Sequence, residues 1–206
     1  MHSPIKRAWF GDFRFDLTED VFEPSEDTFL FAENLDVKED DVVLDVGTGC
    51  GILGILAAQK AKSVLAVDIN PFAVRCTKQN AILNHVRGKM GFMQTDMLTA
   101  LAEDALFDLI LFNAPYLPSE EHEVETWIGR AWAGGATGRE VVDRFIPQAA
   151  SHLKPSGRIL MLQSTLTNVE MTLSKFEEYQ LKASVKVERK LPFFETILLV
   201  EAKAEH

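Results

Sequence analysis

The residues of this chain best able to do chemistry stand at the ends of short apolar runs. In "LDVGTGCG", Asp45 directly precedes a glycine-rich turn. Asp68 closes the run "SVLAVD", and Asp96 closes "MGFMQTD". A fourth run, "FDLILF", leads into Asn113-Ala114-Pro115-Tyr116, where an amide and an aromatic ring bracket a turn. Gly47 and Gly49 let the backbone bend sharply and approach a ligand with no Cβ in the way. Their spacing is GxGxG, not the GxGxxG of the dinucleotide fingerprint. Asp45 puts an anion where a phosphate is unwelcome and an ammonium is welcome. Asp68, about twenty residues beyond the glycines, suits a ribose diol. Asp96 suits an exocyclic amine, with Met97 packed on the ring. Ammonium, diol and amino-purine occur together in S-adenosyl-L-methionine (SAM), which carries no phosphate. Taken singly, a GxG is equally a tight turn and a strand-end aspartate equally a helix cap; the combination selects SAM over a nicotinamide cofactor. Cys50 reads as a small buried filler and not as a nucleophile.

Strand ends work together only on a scaffold that gathers them. From about Asp41 the chain alternates β-branched runs with helical ones. Strands are expected at residues 42–47, 63–68, 90–96 (a weaker one) and 107–112, and at "RILMLQS" after a Lys154-Pro155-Ser156-Gly157 turn. Helices are expected at "ILGILAAQKA", at "NPFAVRCTKQNAILNH" with Pro71 in its first turn, and at "REVVDRFIPQAASHL". Continuous apolar strands separated by helices imply an α/β fold with a parallel sheet covered on both faces. The runs "LKASVKVERK" and "FFETILLVEA" have little but Leu191-Pro192 between them, which predicts an antiparallel hairpin closing a seven-stranded sheet. Residues 1–40 read as a cap, with a hairpin through "WFGDFRFDL" and a helix after "EPSEDTFLFAENL". Residues 41–206 form the Rossmann-like core of a single domain.

At 206 residues the chain suits one well-buried domain. No apolar run approaches a membrane span, and the N-terminus lacks the apolar core of a signal peptide, so the expected location is cytoplasmic. Two cysteines without a CxxC, and five scattered histidines, give no metal or disulfide framework. A formal net charge of −10 disfavours broad binding to a phosphate backbone and suits a basic protein surface as target.

"NAPY" resembles the (Asn/Asp)-Pro-Pro-(Tyr/Phe) motif of class I SAM-dependent methyltransferases that modify planar exocyclic nitrogens. These comprise enzymes of adenine, cytosine and guanine amines, and the HemK-type enzymes of release-factor glutamine. "VFEPSEDTFLFAENL" is similar to the segment before the core in the eukaryotic and archaeal HemK-type branch, and "AWAGGATGREVVDRF" to the glycine-rich segment after the motif. The resemblance spans residues 21–145 and the terminal hairpin. It implies a Rossmann-like fold and a protein-glutamine N5-methyltransferase acting on the GGQ loop of a class 1 translation release factor. The Asn113 side-chain oxygen and the Ala114 carbonyl would accept the two N–H bonds of the target amide, Pro115 would fix the turn, and Tyr116 would stack on the planar group. No strong base is needed before transfer. Thr28 would bond the methionine carboxylate of SAM, with Glu23 and Pro24 shaping the pocket. Ala114 stands where the family has Pro, keeping the carbonyl and losing stiffness.

In this branch members work with a small zinc-binding activator subunit. The apolar segment near Met90 and Met93 falls at the sheet edge, where strand addition by another chain is possible; it reads equally as an ordinary covered edge. The four glutamates of "SEEHEVETW" could steer a basic target loop or be a solvated surface. Trp127 and Trp132 either line a substrate mouth or pack the loop, and Arg139 and Glu140 read as structural. The alternatives are a nucleic-acid base methyltransferase, which uses the same motif, lysine methylation as associated with relatives in this branch, a non-catalytic subunit of a methyltransferase pair, and a nicotinamide enzyme.

Overall fold

The computed structural model describes residues 6–192 and 195–204. Phe193 and Phe194, assigned above to the last strand, lie outside the described residues.

Two short strands, β1 (Lys6–Phe10) and β2 (Phe13–Leu17), form an antiparallel hairpin. It is followed by α1 (Glu26–Glu33). The main sheet begins with β3 (Val42–Val46), α2 (Ile52–Lys60), β4 (Ser63–Asp68), α3 (Pro71–Leu83) and β5 (Met90–Gln94). It continues through β6 (Phe107–Asn113), α4 (Trp127–Trp132), α5 (Glu140–Ser151) and β7 (Leu153–Ser164). The last elements are α6 (Val169–Glu178), β8 (Leu181–Lys190) and β9 (Thr196–Ala204). The seven strands lie in the order β5-β4-β3-β6-β7-β9-β8. The first five are mutually parallel, whereas β9 runs antiparallel to both β7 and β8. The mostly parallel sheet with its closing hairpin is the arrangement expected from the sequence.

Period-two alternation fills both faces. Val43, Leu109, Leu111, Leu160 and Leu162 join the apolar layer under α1, α2 and α3. Leu44, Ile110, Phe112, Ile159 and Met161 join the layer under α5 and α6. On α5, Val142, Phe145, Ile146 and Ala149 recur at i, i+3, i+4 and i+7 and are fully buried. The cap packs into the first layer through Phe15, Leu17 and Phe31. Two asparagines of the α3 end also clamp β2: Asp16 N–H donates to Asn80 Oδ1 at 2.9 Å, and Arg14 N–H to Asn84 Oδ1 at 3.2 Å.

The expected turn at Lys154-Pro155-Ser156-Gly157 lies inside the continuous strand β7. Phe107 pairs with Leu153 and Leu109 with Arg158, so these four residues bulge out of the ladder. Proline lacks the N–H a ladder needs, and glycine lets the chain fold back over Leu153, which is how a strand absorbs extra residues.

Candidate active site

Chain order along the sheet reverses between β3 and β6, the place where open α/β sheets bind ligands. The carboxyl ends of β3, β4 and β6 open there onto a cavity of about 310 Å³. Asp45 lies at its base, 1% exposed. Its Oδ2 accepts from Thr48 Oγ1 at 2.6 Å and from Gly54 N–H at 3.0 Å. Any side chain at Gly54 would put a Cβ 2.7 Å from that oxygen. Burial pushes the Asp45 carboxyl up to about 7, against the pull of its two hydrogen bonds and with a further push from Asp68.

Asp68 holds the glycine turn from the neighbouring strand. Its Oδ2 accepts from Gly49 N–H at 3.0 Å, and its Oδ1 from Asn70 N–H at 2.9 Å. Burial raises its pKa as well. Gly47 and Gly49 adopt positive φ of 64° and 57°, so the turn needs residues without a Cβ. Both glycines, both aspartates and Thr28 line the cavity. Asp96 and Met97 also reach it from beyond β5. Asp96 is not free: its Oδ2 pairs at 2.5 Å with Arg144 of α5, which lines the cavity beside it. An amine bound at Asp96 would share that carboxylate with a guanidinium.

At the end of β6 the Asn113 amide is fixed in one orientation. Its Nδ2 donates to Thr28 Oγ1 at 3.1 Å and to Asp27 Oδ2 at 3.5 Å. A carboxylate only accepts, so the amide nitrogen must face Asp27 and the oxygen must face away. That oxygen is buried and has no hydrogen-bond partner among the described residues. Pro115 lines the cavity beside it, whereas Ala114 is buried and Tyr116 is not among the lining residues. The Tyr116 hydroxyl instead donates to Asp27 Oδ2 at 3.5 Å, and burial followed by the Asp27 charge pushes its pKa well up. Of the segment before α1, Pro24 lines the cavity, while Glu23 is exposed and paired with Lys6 at 3.4 Å.

The glycine-rich segment after the motif explains the motif's shape. Gly134 N–H donates to Leu117 O at 2.8 Å, Leu117 N–H to Trp132 O at 3.0 Å, and Ser119 N–H to Gly135 O at 2.9 Å. Gly138, at φ 72°, packs so closely that a Cβ would overlap the Tyr116 carbonyl oxygen and Thr167 Cγ2. Gly138→Ala should therefore cost about 2 kcal/mol or more. Thermal denaturation should show Tm lowered by about 4 °C or more, and an unchanged Tm would remove this brace from the account. Arg139 then anchors α5: it is buried and bonds Thr167 O, Asn168 O and Asp143 at 2.6–2.8 Å, a structural role as expected.

Between motif and brace, a 3-10 turn (Glu121–Glu125) and α4 bring Val124 and Trp127 to the cavity. The Arg130 guanidinium lies over the Trp127 ring, 5.0 Å from its centroid. Trp132 is not among the lining residues.

The family model described as methyltransferase small domain matches residues 23–187. The chain belongs to this methyltransferase family. A Methanocaldococcus jannaschii relative, provisionally named a protein N5-glutamine methyltransferase, is 40% identical over 186 residues, covering 89% of this chain and 92% of its own. Methyltransferase HEMK2 of Homo sapiens is 34% identical over 91% of this chain and 88% of its own. Among solved structures, the E. cuniculi Mtq2–Trm112 complex, described as responsible for methylation of the eRF1 translation termination factor, has a TM-score of 0.69. At 24% identity it covers 90% of this chain and 99% of that one, and shows the shared fold.

Three residues of this methyltransferase site escape a reading of the sequence. Asp27 stands beside Thr28 in "EPSEDT" and is the acceptor for both Asn113 and Tyr116. Arg144 occupies the Asp96 carboxylate. Gly54 admits the N–H that holds Asp45. A carboxylate in the first turn of a helix is a common cap, so nothing local distinguished Asp27.

Proposed function

We propose that the chain transfers a methyl group from SAM to the side-chain amide nitrogen of a glutamine, the Gln of the GGQ loop in a class 1 translation release factor. The observation that carries this reading is Asn113 of the cavity lining, whose buried Oδ1 has no partner among the described residues. Leaving a buried acceptor unpaired is costly, and a target N–H is the group that satisfies it. The names of the Methanocaldococcus jannaschii relative and of the eRF1-methylating structure point to the same substrate chemistry.

The donors and acceptors around the cavity fit SAM. Asp45 would accept the ammonium, Asp68 the ribose diol, and Asp96 with Met97 the adenine. When bound there, SAM supplies a sulfonium methyl group as electrophile. The work of the chain is positioning. Asn113 Oδ1 and the Ala114 carbonyl hold the two amide hydrogens, which aims the nitrogen and fixes the plane of the group. The acidic loop carrying Glu120, Glu121, Glu123 and Glu125 lies beside the motif and attracts basic residues around the target.

The same reading includes a small zinc-binding activator subunit docking on the edge strand β5. In support, β5 ends the sheet, with Gly91 exposed and Phe92 and Met93 half-buried. Working with translation factors, the chain acts in the cytoplasm.

The test combines purified chain and methyl-labelled SAM with an extract of source cells lacking this protein, which supplies target and activator together. Label on one protein of release-factor size, lost when its GGQ glutamine is replaced, is the expected result. Label in the nucleic-acid fraction overturns it in favour of a base amine.

A further inference from the structure

We infer that Asp27 is a positioning residue that sets which end of the Asn113 amide faces the target. The inference rests on the proposed role of Asn113 as acceptor of the target N–H.

Among the described residues, every group that hydrogen-bonds the Asp27 carboxylate donates to it. Oδ1 accepts from Ser25 Oγ at 2.5 Å, Thr28 N–H at 2.6 Å and Thr28 Oγ1 at 3.2 Å. Oδ2 accepts from Asn113 Nδ2 and Tyr116 Oη, both at 3.5 Å. Because Thr28 Oγ1 spends its hydrogen on Asp27, it can only accept from Asn113. Two acceptors, Asp27 itself and the Thr28 hydroxyl that Asp27 orients, therefore hold the Asn113 nitrogen, and its oxygen is left buried without a partner among the described residues. An amide and its flipped form differ little in shape, so sterics alone would not choose between them. The wrong choice is severe here: a flipped Asn113 would point two hydrogens at the hydrogens of the target.

Asp27→Asn isolates this role because it keeps the size and shape of the side chain. An amide at position 27 has one acceptor and one donor end. Its oxygen must take the crowded side, against the short backbone N–H of Thr28. Its NH2 then faces Asn113, which satisfies it by turning its own oxygen inward. The Asn113 nitrogen is thereby presented to the cavity, and the acceptor is lost.

The test scores three proteins in the supplemented assay: wild type, Asp27→Asn, and Asp27→Asn combined with Asn113→Asp. In the single variant kcat should fall about 100-fold, with the SAM Kd within about twofold and Tm within a few degrees of wild type. The double variant restores an acceptor on both sides of position 113, since a carboxylate there takes the new NH2 of position 27 with one oxygen and the target N–H with the other. It should regain about tenfold or more, equivalent to about 1.4 kcal/mol of barrier. A merely structural Asp27 would shift SAM Kd and Tm and show no such recovery. The inference is overturned by a single variant within threefold of wild type, or by a double variant no better than the single. If wild type labels nucleic acid instead of the release factor, the substrate reading fails by that result alone. The ratios among the three proteins, scored on the labelled amine, still decide the role of Asp27.

Discussion

Replacing Asn113 with Ala should lower methyl transfer by about 10³-fold while leaving SAM affinity within a few-fold of wild type. The reason lies in what the target nitrogen lacks. Its lone pair is delocalised into the amide, so it is a weak nucleophile. The described residues around Asn113 include no free base that would activate it. Asp27 is occupied by Tyr116, Thr28 and Asn113 itself, and Asp45 is held by Thr48 and Gly54. What remains is alignment, and a displacement of about 1 Å can cost about 10²-fold when alignment is the whole device. Ala also removes the proposed acceptor, so the target would lose one of the two bonds proposed at its reacting atom. The SAM contacts proposed for Asp45, Asp68 and Asp96 come from other segments and are untouched. Binding of SAM by calorimetry and single-turnover transfer in the supplemented assay separate the two effects. Undiminished turnover by the Asn113→Ala protein would sink the mechanism.

Which parts of this were legible follows from how far apart the partners lie. Asp45 and Asp68 could be read because strand-end aspartates flanking a glycine turn bring their own context, and Gly49 sits within the same segment as one and bonds the other. The role of Asp27 could not, because its partners Asn113 and Tyr116 lie 86 and 89 residues away. Thr28 illustrates the same limit: its hydroxyl was expected to bond the cofactor's carboxylate, yet it gives its one hydrogen to Asp27 and receives the Asn113 nitrogen. In the fold, α5 announced itself by a full apolar stripe, whereas α6 buries only Thr172 and Phe176 and left too thin a stripe to read. The helical turns between residues 121 and 132 were hidden by their glutamates. Their order comes from local caps, Glu120 with Glu123 and Thr126 with Gly129, and not from an apolar period. At Lys154-Pro155-Ser156-Gly157 the local turn signal was sound, but pairing with Phe107 extended the strand past it. Local chemistry fixed what local residues could satisfy, and the tertiary ladder decided the rest.

The affinity of the apo protein for SAM should rise with pH from about 5.5 to 7, by up to tenfold per pH unit, as Asp45 ionises. Burial holds the free carboxyl at about 7, so near pH 6 most molecules carry a neutral acid at the floor of the cavity. A cationic ammonium favours the carboxylate, so binding expels the proton and the linkage follows. Stability should move the opposite way. An unfolded aspartate ionises near pH 3.9. From there to about 7 the folded chain holds a proton that the unfolded chain has released. The Asp45 contribution is therefore fully present below about pH 4, declines as pH rises through that window, and levels off above it. Calorimetric titration in buffers of different ionisation enthalpy counts the expelled proton, and denaturation across the same pH range follows the stability. Asp45→Asn should bind SAM weakly at every pH, release no proton, and lose the part of the stability slope that belongs to this carboxyl. A wild-type Kd flat from pH 5.5 to 7 would mean that the ammonium is held elsewhere, and Asp45 would then be only the clamp of Thr48 and Gly54. Opposite slopes for affinity and stability are the signature of a buried acid that becomes a charge only when its ligand arrives.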